Sequence, residues 1–238
     1  MDRVLFITTS TNQIGRTGKK TGAHFAEITH PYEVLKTAGF DIDFVSPRGG
    51  RIPLDHVDLD DSISEKWIHN DVFRSKIEFS MNPNQVVHSQ YKAVFYPGGH
   101  GVMFDLPDHD KLSHISGQIY DAGGVIGAVC HGSAGLLNIK IDGGVPLLKG
   151  KEVTGFTNAE EVAVGLLDQI PFLLEDRLSE DGGLFSKAAP FERHVVVSER
   201  LVTGQNPASA RAVGEEIRKL ISKSRSAFIN IEESTIAP

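Results

Sequence analysis

The sequence is poor in cysteine, in tryptophan and in long apolar runs. Its single cysteine, Cys130, excludes a disulfide within the chain and is typical of a protein from a reducing, cytoplasmic compartment. The apolar run at the start, Val4 to Ile7, is too short for a signal peptide or for a membrane span. We therefore expect a cytoplasmic protein that has no membrane partner.

An excess of basic residues is also missing. Lysine and arginine together number 24, against 31 aspartates and glutamates, so the formal net charge is −7 at pH 7. Proteins that bind nucleic-acid phosphates usually carry the opposite balance, so no nucleic-acid partner is expected. The glycine patterns of dinucleotide-binding and P-loop proteins are absent as well. With 40% hydrophobic residues, the chain can bury one core, and we predict a single domain over residues 1–238.

Short apolar strands alternate with amphipathic helices along most of the chain. The predicted strands are 4–8, 41–46, 93–96, 125–129, 152–154, 194–198 and 201–203, and the predicted helices are 24–38, 108–122, 158–167 and 206–222. This order predicts an α/β fold with a mostly parallel sheet and helices on both faces. Pro31 is expected to kink or break the first helix.

Two segments depart from this alternation. Residues 47–90 contain many charges and no long apolar run, and we predict an insertion of short helices that covers a sheet edge or the mouth of a site. Residues 223–238 are predicted to form a frayed tail.

The most informative segment is the end of the strand at 125–129, which leads directly into Cys130-His131-Gly132. A nucleophilic residue type between a buried strand and a helix is the pattern of a nucleophile elbow. Such a turn exposes the thiol, places it near the positive end of a helix and aims the His131 N–H at an attacked carbonyl. The alternative is an inert buried cysteine, which is the common state of a free cysteine. The turn and the adjacent histidine favour a catalytic thiol that is partly ionised at neutral pH.

A glycine-rich run, Pro97-Gly98-Gly99-His100-Gly101, follows the strand at 93–96. Glycines allow backbone N–H groups to approach a ligand closely, and we expect the Gly99 N–H to be a second oxyanion donor. The alternative is a tight loop without a ligand.

A catalytic thiol also needs a base and a carboxylate that orients the base. His131 is the candidate base, and Glu27, Glu160 and Glu161 are the candidate carboxylates. The ten histidines raise the question of a metal, because His24, Glu27 and His30 recur at intervals of three. No H-E-x-x-H motif and no cysteine pair is present, so we predict no metal site.

Taken together, these segments resemble the ThiJ/PfpI superfamily, and the wider pattern resembles its heat-shock-chaperone branch over about residues 3–220. The resemblance is carried by Ala128 to Gly132, Pro97 to Gly101, Thr21-Gly22, Glu27, His30-Pro31, Ala38 to Asp41, Phe44 to Ser46, Phe104-Asp105, Gly155-Phe156-Thr157, Glu161, Leu201 to Gly204 and Asn206 to Ser209. It implies a flavodoxin-like sandwich with a nucleophile elbow.

That branch contains glutathione-independent glyoxalases of the glyoxalase III type, which convert methylglyoxal to lactate without a metal or organic cofactor. The resemblance implies that Cys130 is the nucleophile, His131 its partner and Glu161 the carboxylate that supports the histidine. Glu27 would hydrogen-bond the sulfur, and Gly99 and His131 would supply the oxyanion donors. The implied substrates are methylglyoxal and glyoxal, and the implied assembly is a homodimer.

Several alternatives stay open from the sequence. The same thiol suits deglycation of proteins or nucleotides, and an elbow cysteine also suits an amidase or peptidase. A stress chaperone of the holdase type or a redox sensor are the non-enzymatic alternatives. The choice between Glu160 and Glu161 as the supporting carboxylate is also open.

Overall fold

A six-stranded sheet with helices on both faces organises the protein, in a computed structural model that describes the backbone of residues 2–236 and the side chains of residues 2–223. The strands are β1 (Arg3–Ile7), β2 (Ala23–His24), β3 (Asp41–Val45), β4 (Leu54–Asp55), β5 (Tyr91–Tyr96), β6 (Val125–Val129), β7 (Lys140–Ile141), β8 (Val145–Pro146), β9 (Glu152–Val153), β10 (Leu184–Phe185), β11 (Val195–Ser198) and β12 (Leu201–Gly204). The helices are α1 (Phe25–Thr37), α2 (Ser62–Ile68), α3 (Asp71–Glu78), α4 (Val102–Asp105), α5 (Asp110–Asp121), α6 (Asn158–Val164), α7 (Leu174–Glu180) and α8 (Ala210–Ile236), with 3₁₀ helices at Pro83–Gln85, His88–Gln90, Cys130–Leu136 and Pro207–Ser209.

The central sheet has the order β11-β12-β6-β5-β1-β3, and only the β11–β12 pair is antiparallel. All five residues of β6 are buried, as expected for a strand that is covered on both faces. Because β5 and β6 are parallel neighbours, the segments that follow them leave the same edge of the sheet. The predicted α/β class and mostly parallel sheet are confirmed.

Helix α1 continues through Pro31, so the predicted break is absent. Proline removes one backbone hydrogen bond from a helix, which packing must offset. Helix α8 supplies that packing, because Gly214 lies directly against Pro31: a Cβ at position 214 would be 2.9 Å from the Pro31 Cα. The close contact of these two helices keeps α1 in one piece.

The insertion at 47–90 contains the short helices α2 and α3 and two 3₁₀ helices. It also contributes a strand that the sequence did not reveal, β4, which pairs in parallel with β2 beside the end of the central sheet. Strand β9 was found in the sequence, but it pairs with β10 outside the central sheet.

The last helix was expected to end near Ser222 and to be followed by a frayed tail, whereas α8 continues to Ile236. No glycine or proline interrupts the chain between Lys223 and Ile236, so nothing in the backbone stops the helix there. Residues 237–238 lie outside the described part. Within residues 2–236, no helix combines the length and the apolar character needed to cross a membrane.

The contact between α1 and α8 predicts the sign of one substitution. Gly214→Ala would ordinarily stabilise a helix by about 0.5–1 kcal/mol. Here the added methyl group meets the backbone of Pro31, so we expect the free energy of unfolding to fall by about 1–3 kcal/mol. Urea denaturation measures this change. The exposed Arg218→Ala in the same helix is the control, and a stabilised Gly214→Ala protein would contradict the packing described.

Candidate active site

Cys130 occupies the elbow between β6 and the 3₁₀ helix that follows it. Its backbone lies in the left-handed region, with φ of +58°, which is rare for a residue with a side chain. The turn is tight, because a Cβ at Gly132 would lie 2.2 Å from the backbone oxygen of Tyr96. The predicted elbow is therefore present, and a close contact with β5 holds it rigid.

Cys130 as a whole is only 3% exposed, so the expectation that the elbow pushes its side chain out to solvent is wrong. Burial raises the pKa of the Cys130 thiol well above its ordinary value, and negative charge on Glu27 would raise it further. The backbone N–H of His131 acts in the opposite direction and offsets this rise only in part. This environment therefore favours the protonated thiol at neutral pH. The 3₁₀ helix that follows Cys130 has only seven residues, and its positive end does not offset the loss of water around the sulfur.

Glu27 extends from α1 to the sulfur and is completely buried. One of its oxygens, Oε2, accepts a hydrogen bond of 2.7 Å from the Gly98 N–H. The other, Oε1, is buried and finds no hydrogen-bond partner among the side chains and backbone of residues 2–223. Burial raises the pKa of Glu27 to about 8, while its interactions with Cys130 and Gly98 act in the opposite direction. At neutral pH the carboxyl group is therefore protonated.

His131 links the thiol to Glu161. Its Nδ1 lies 3.4 Å from the Cys130 sulfur, and its Nε2 forms a short contact with Glu161 Oε1. Burial lowers the pKa of His131 to about 4, so the ring is neutral at pH 7. The ring also packs against Phe156, with centroids 4.4 Å apart. A neutral ring whose Nε2–H donates to a carboxylate presents an unprotonated Nδ1, and this atom can accept the thiol proton.

Glu161 remains ionised although it is buried, because two imidazoles donate to it. His131 is one donor, and His100 Nε2 is the second at 2.9 Å. These hydrogen bonds lower the pKa of Glu161 to about 2 against the effect of burial. Sequence reasoning did not assign a role to His100, because its distance from Glu161 along the chain gives no signal of the contact.

The neighbouring Glu160 has different hydrogen-bond partners. Its carboxylate accepts from the Thr157 backbone and hydroxyl, from the Phe191 N–H and from the amides of Gln205 and Asn206. These bonds form a capping box at the start of α6 and attach the loop near residue 191. The geometry places Glu161, and not Glu160, beside His131.

The glycine run after β5 forms the opposite wall of the site. A Cβ at Gly98 would lie 2.6 Å from Glu27 Oε2 and 2.9 Å from the Cys130 Cβ, so only glycine fits. Gly99 has φ of +100°, and among the hydrogen bonds of residues 2–223 none uses its N–H. That N–H is free to face a ligand, as the sequence-based interpretation requires.

Two sets of histidines and glutamates contain side chains of the types that bind metal ions. His24, Glu27 and His30 do not form a site, because His30 instead binds Asp61 and Glu27 binds the Gly98 N–H. His100, His131 and Glu161 place one ligating atom each within 4.8 Å of the others. The Nε2 atoms of both histidines in that second set already contact the carboxylate.

A thiol, an imidazole and a carboxylate in series at the carboxyl edge of a parallel α/β sheet define a cysteine-dependent catalytic site. The chain belongs to the DJ-1/PfpI family, whose model matches residues 20–220. It is 32% identical to glyoxalase 3 of Candida albicans, over 91% of this chain and 97% of that protein. It is 33% identical to a glutathione-independent glyoxalase of Schizosaccharomyces pombe, over 83% of this chain and 88% of the relative.

Solved structures agree with this assignment. The glyoxalase III structure from Candida albicans superimposes with a TM-score of 0.85 at 31% identity, covering 92% of this chain and 97% of that one. The Rapid Encystment Protein 24 KDa of Francisella tularensis gives a TM-score of 0.89 at 38% identity, covering 93% and 99%. The predicted family and the flavodoxin-like architecture are confirmed.

The buried carboxyl of Glu27 predicts a pH dependence of stability. Its pKa is raised in the folded state, so the stability it contributes is complete below its ordinary pKa near 4.5 and is lost as the pH rises through about 8. Glu27→Gln is neutral at every pH. We therefore expect the variant to gain stability relative to the wild type between pH 5 and 8, by on the order of 1.4 kcal/mol per pH unit.

Urea denaturation at several pH values measures that difference. The control is Glu180→Gln, which changes an exposed carboxylate. Curves for wild type and Glu27→Gln that run parallel from pH 5 to 8 would show that the buried carboxyl is ionised throughout.

Proposed function

We propose that this protein is a glutathione-independent glyoxalase of the glyoxalase III type, which converts methylglyoxal to lactate at Cys130. The observation that carries the proposal is the thiol held against the neutral His131, which Glu161 orients. The curated relatives with the same family fold bear this activity in their names. As the resemblance implies, we also propose a homodimer and a cytoplasmic location.

The reaction begins with a proton transfer that the geometry prepares. The Cys130 sulfur attacks the aldehyde carbon while its proton passes to His131 Nδ1, 3.4 Å away. This order of events suits a thiol whose pKa is raised, because the thiolate forms only as the new carbon–sulfur bond forms. Glu161 stabilises the resulting imidazolium, and the Gly99 and His131 N–H groups hold the developing oxyanion. His131 then returns the proton to that oxygen and a hemithioacetal results.

The hydrogen shift follows from the hemithioacetal. His131, neutral again, removes the proton from the former aldehyde carbon, and the electron pair forms a double bond to the neighbouring carbon. The π pair of the ketone moves to its oxygen, which takes up a proton that the hydroxyl group gives back in the last step, so that an enediol results. Glu27 carries its own proton below about pH 8, so it does not serve as this base. Protonation of the neighbouring carbon and loss of the hydroxyl proton give a thioester, and water hydrolyses it to lactate and free thiol.

The burial of the thiol also supports a small substrate. With only 3% of Cys130 exposed and Phe156 packed against His131, a compact aldehyde suits the site better than a peptide chain. This favours the glyoxalase over the amidase or peptidase alternative.

The direct test incubates purified protein with methylglyoxal in the absence of glutathione and measures lactate. Wild type should form lactate, and Cys130→Ala should form none, since no other thiol exists in the chain. Circular dichroism of the variant establishes that it is folded. Lactate formation by a folded Cys130→Ala protein would refute the mechanism.

The adjacent glutamates provide a matched pair of variants. Glu161→Gln removes the charge that orients His131 and stabilises its protonated form, so we expect kcat to fall by about 10²-fold or more at a temperature where the variant is folded. Glu160→Gln weakens a buried hydrogen-bond network, so we expect a loss of about 1–3 kcal/mol of stability. Its kcat at a temperature where it is folded should stay close to that of wild type. Equal loss of kcat in both variants would contradict the separation of roles.

A further inference from the structure

Two histidines outside the thiol–imidazole–carboxylate series lie beside the same site. Strand β2 brings His24 opposite Asp55 of β4, and His56 follows Asp55 directly. The His24 backbone N–H donates to the Gly98 carbonyl at 2.9 Å, and Gly98 in turn donates to the carboxyl of Glu27. The insertion thus reaches the catalytic groups through one strand pair and two hydrogen bonds.

The two imidazoles form a stacked pair that Asp55 and Thr21 hold in place. Their centroids are 4.9 Å apart and their planes differ by 9°. Asp55 Oδ1 lies 3.2 Å from His56 Nδ1, and Thr21 Oγ1 donates to the other Asp55 oxygen at 3.4 Å. His56 adopts a left-handed backbone with φ of +50°, which is uncommon for a residue other than glycine. Such backbone strain concentrates at functional sites.

The pair also has unused hydrogen-bonding capacity. His24 Nδ1 is buried and has no hydrogen-bond partner within residues 2–223. Burial and the neighbouring His56 lower the pKa of His24 to about 4, so this ring is neutral at pH 7. The neutral ring can offer one N–H to a ligand in the site.

His56 is suited to deliver protons. Its hydrogen bond to Asp55 raises the pKa of the imidazole, and the negative charge of Glu27 acts in the same direction when that group is ionised. Asp55 on β4, Glu27 on α1 and His24 at the start of α1 are the titratable groups that face it. The side chain of His56 is 63% exposed, so it can exchange protons with water after each turnover.

We propose that His24 and His56 form a subsite for the second oxygen of an α-dicarbonyl substrate. This inference rests on the proposed glyoxalase function. It assigns binding and protonation of the ketone oxygen, for which the thiol, His131 and Glu161 provide no group. His24 Nδ1–H hydrogen-bonds the ketone oxygen. While His131 removes the proton from the former aldehyde carbon, the carbon–oxygen π pair of the ketone moves to its oxygen, which takes a proton from His56. The hydroxyl proton lost when the thioester forms restores the charge on His56 through water.

The experiment compares His56→Asn, His24→Phe and the control His69→Asn, which alters an exposed histidine. Asparagine tolerates a positive φ, so His56→Asn removes the imidazole without new strain. Phenylalanine keeps a ring against His56 and removes Nδ1. Steady-state kinetics with methylglyoxal are measured from pH 5 to 9, together with the inhibition constant of propionaldehyde, which can add to the thiol but has no second oxygen.

We expect His56→Asn to lower kcat about 10–10²-fold and to lose the decline of kcat with rising pH that deprotonation of His56 causes in wild type. His24→Phe should mainly raise KM, by about fivefold. In both variants the inhibition constant of propionaldehyde should stay within twofold of wild type, as it should for His69→Asn. A general structural defect would change this constant as well.

The outcomes separate the two hypotheses. A wild-type protein that forms no lactate overturns the proposed function and the subsite with it. A normal wild type whose kcat and KM are unchanged in His56→Asn and His24→Phe overturns the subsite alone. A parallel loss of propionaldehyde affinity in the variants also overturns the subsite, because the histidines would then support the fold of the site and not the second oxygen.

Discussion

The site depends on one buried negative charge. Glu161 is almost completely removed from water, yet it remains ionised because His131 and His100 both donate to it. That charge fixes the proton on the Nε2 of His131 and thereby turns an unprotonated Nδ1 toward Cys130. Glu27, equally buried, lacks imidazole donors and is neutral at the same pH. Two buried glutamates of one site hold opposite protonation states because their hydrogen-bond donors differ in number and kind.

Much of this arrangement was predictable from short segments. The strand at 125–129 and the glycine run after the strand at 93–96 both end at the carboxyl edge of a parallel sheet, so Cys130 and Gly99 had to lie near each other. The family resemblance supplied Glu27 and Glu161, which spacing alone could not select. The continuous α1 was not predictable from Pro31, since the deciding contact with Gly214 comes from the far end of the chain.

Other features depended on tertiary contacts that leave no local signal. The exposure of Cys130 was misjudged because an elbow fixes the direction of a side chain but not what covers it. His100 and His56 were not assigned roles because the first meets Glu161 across 61 residues and the second sits in an insertion without regular periodicity. Glu160 and Glu161 are adjacent and chemically identical, and only the packing of α6 against the loop near residue 191 separates their roles.

The lone cysteine also bears on recovery from oxidative damage. Should peroxide convert the sulfur to a sulfenic acid, the chain contains no second thiol that could condense with it. Return to the reduced state then depends on a reductant from outside the molecule, and the same cover that limits access to the sulfur restricts how large that reductant can be.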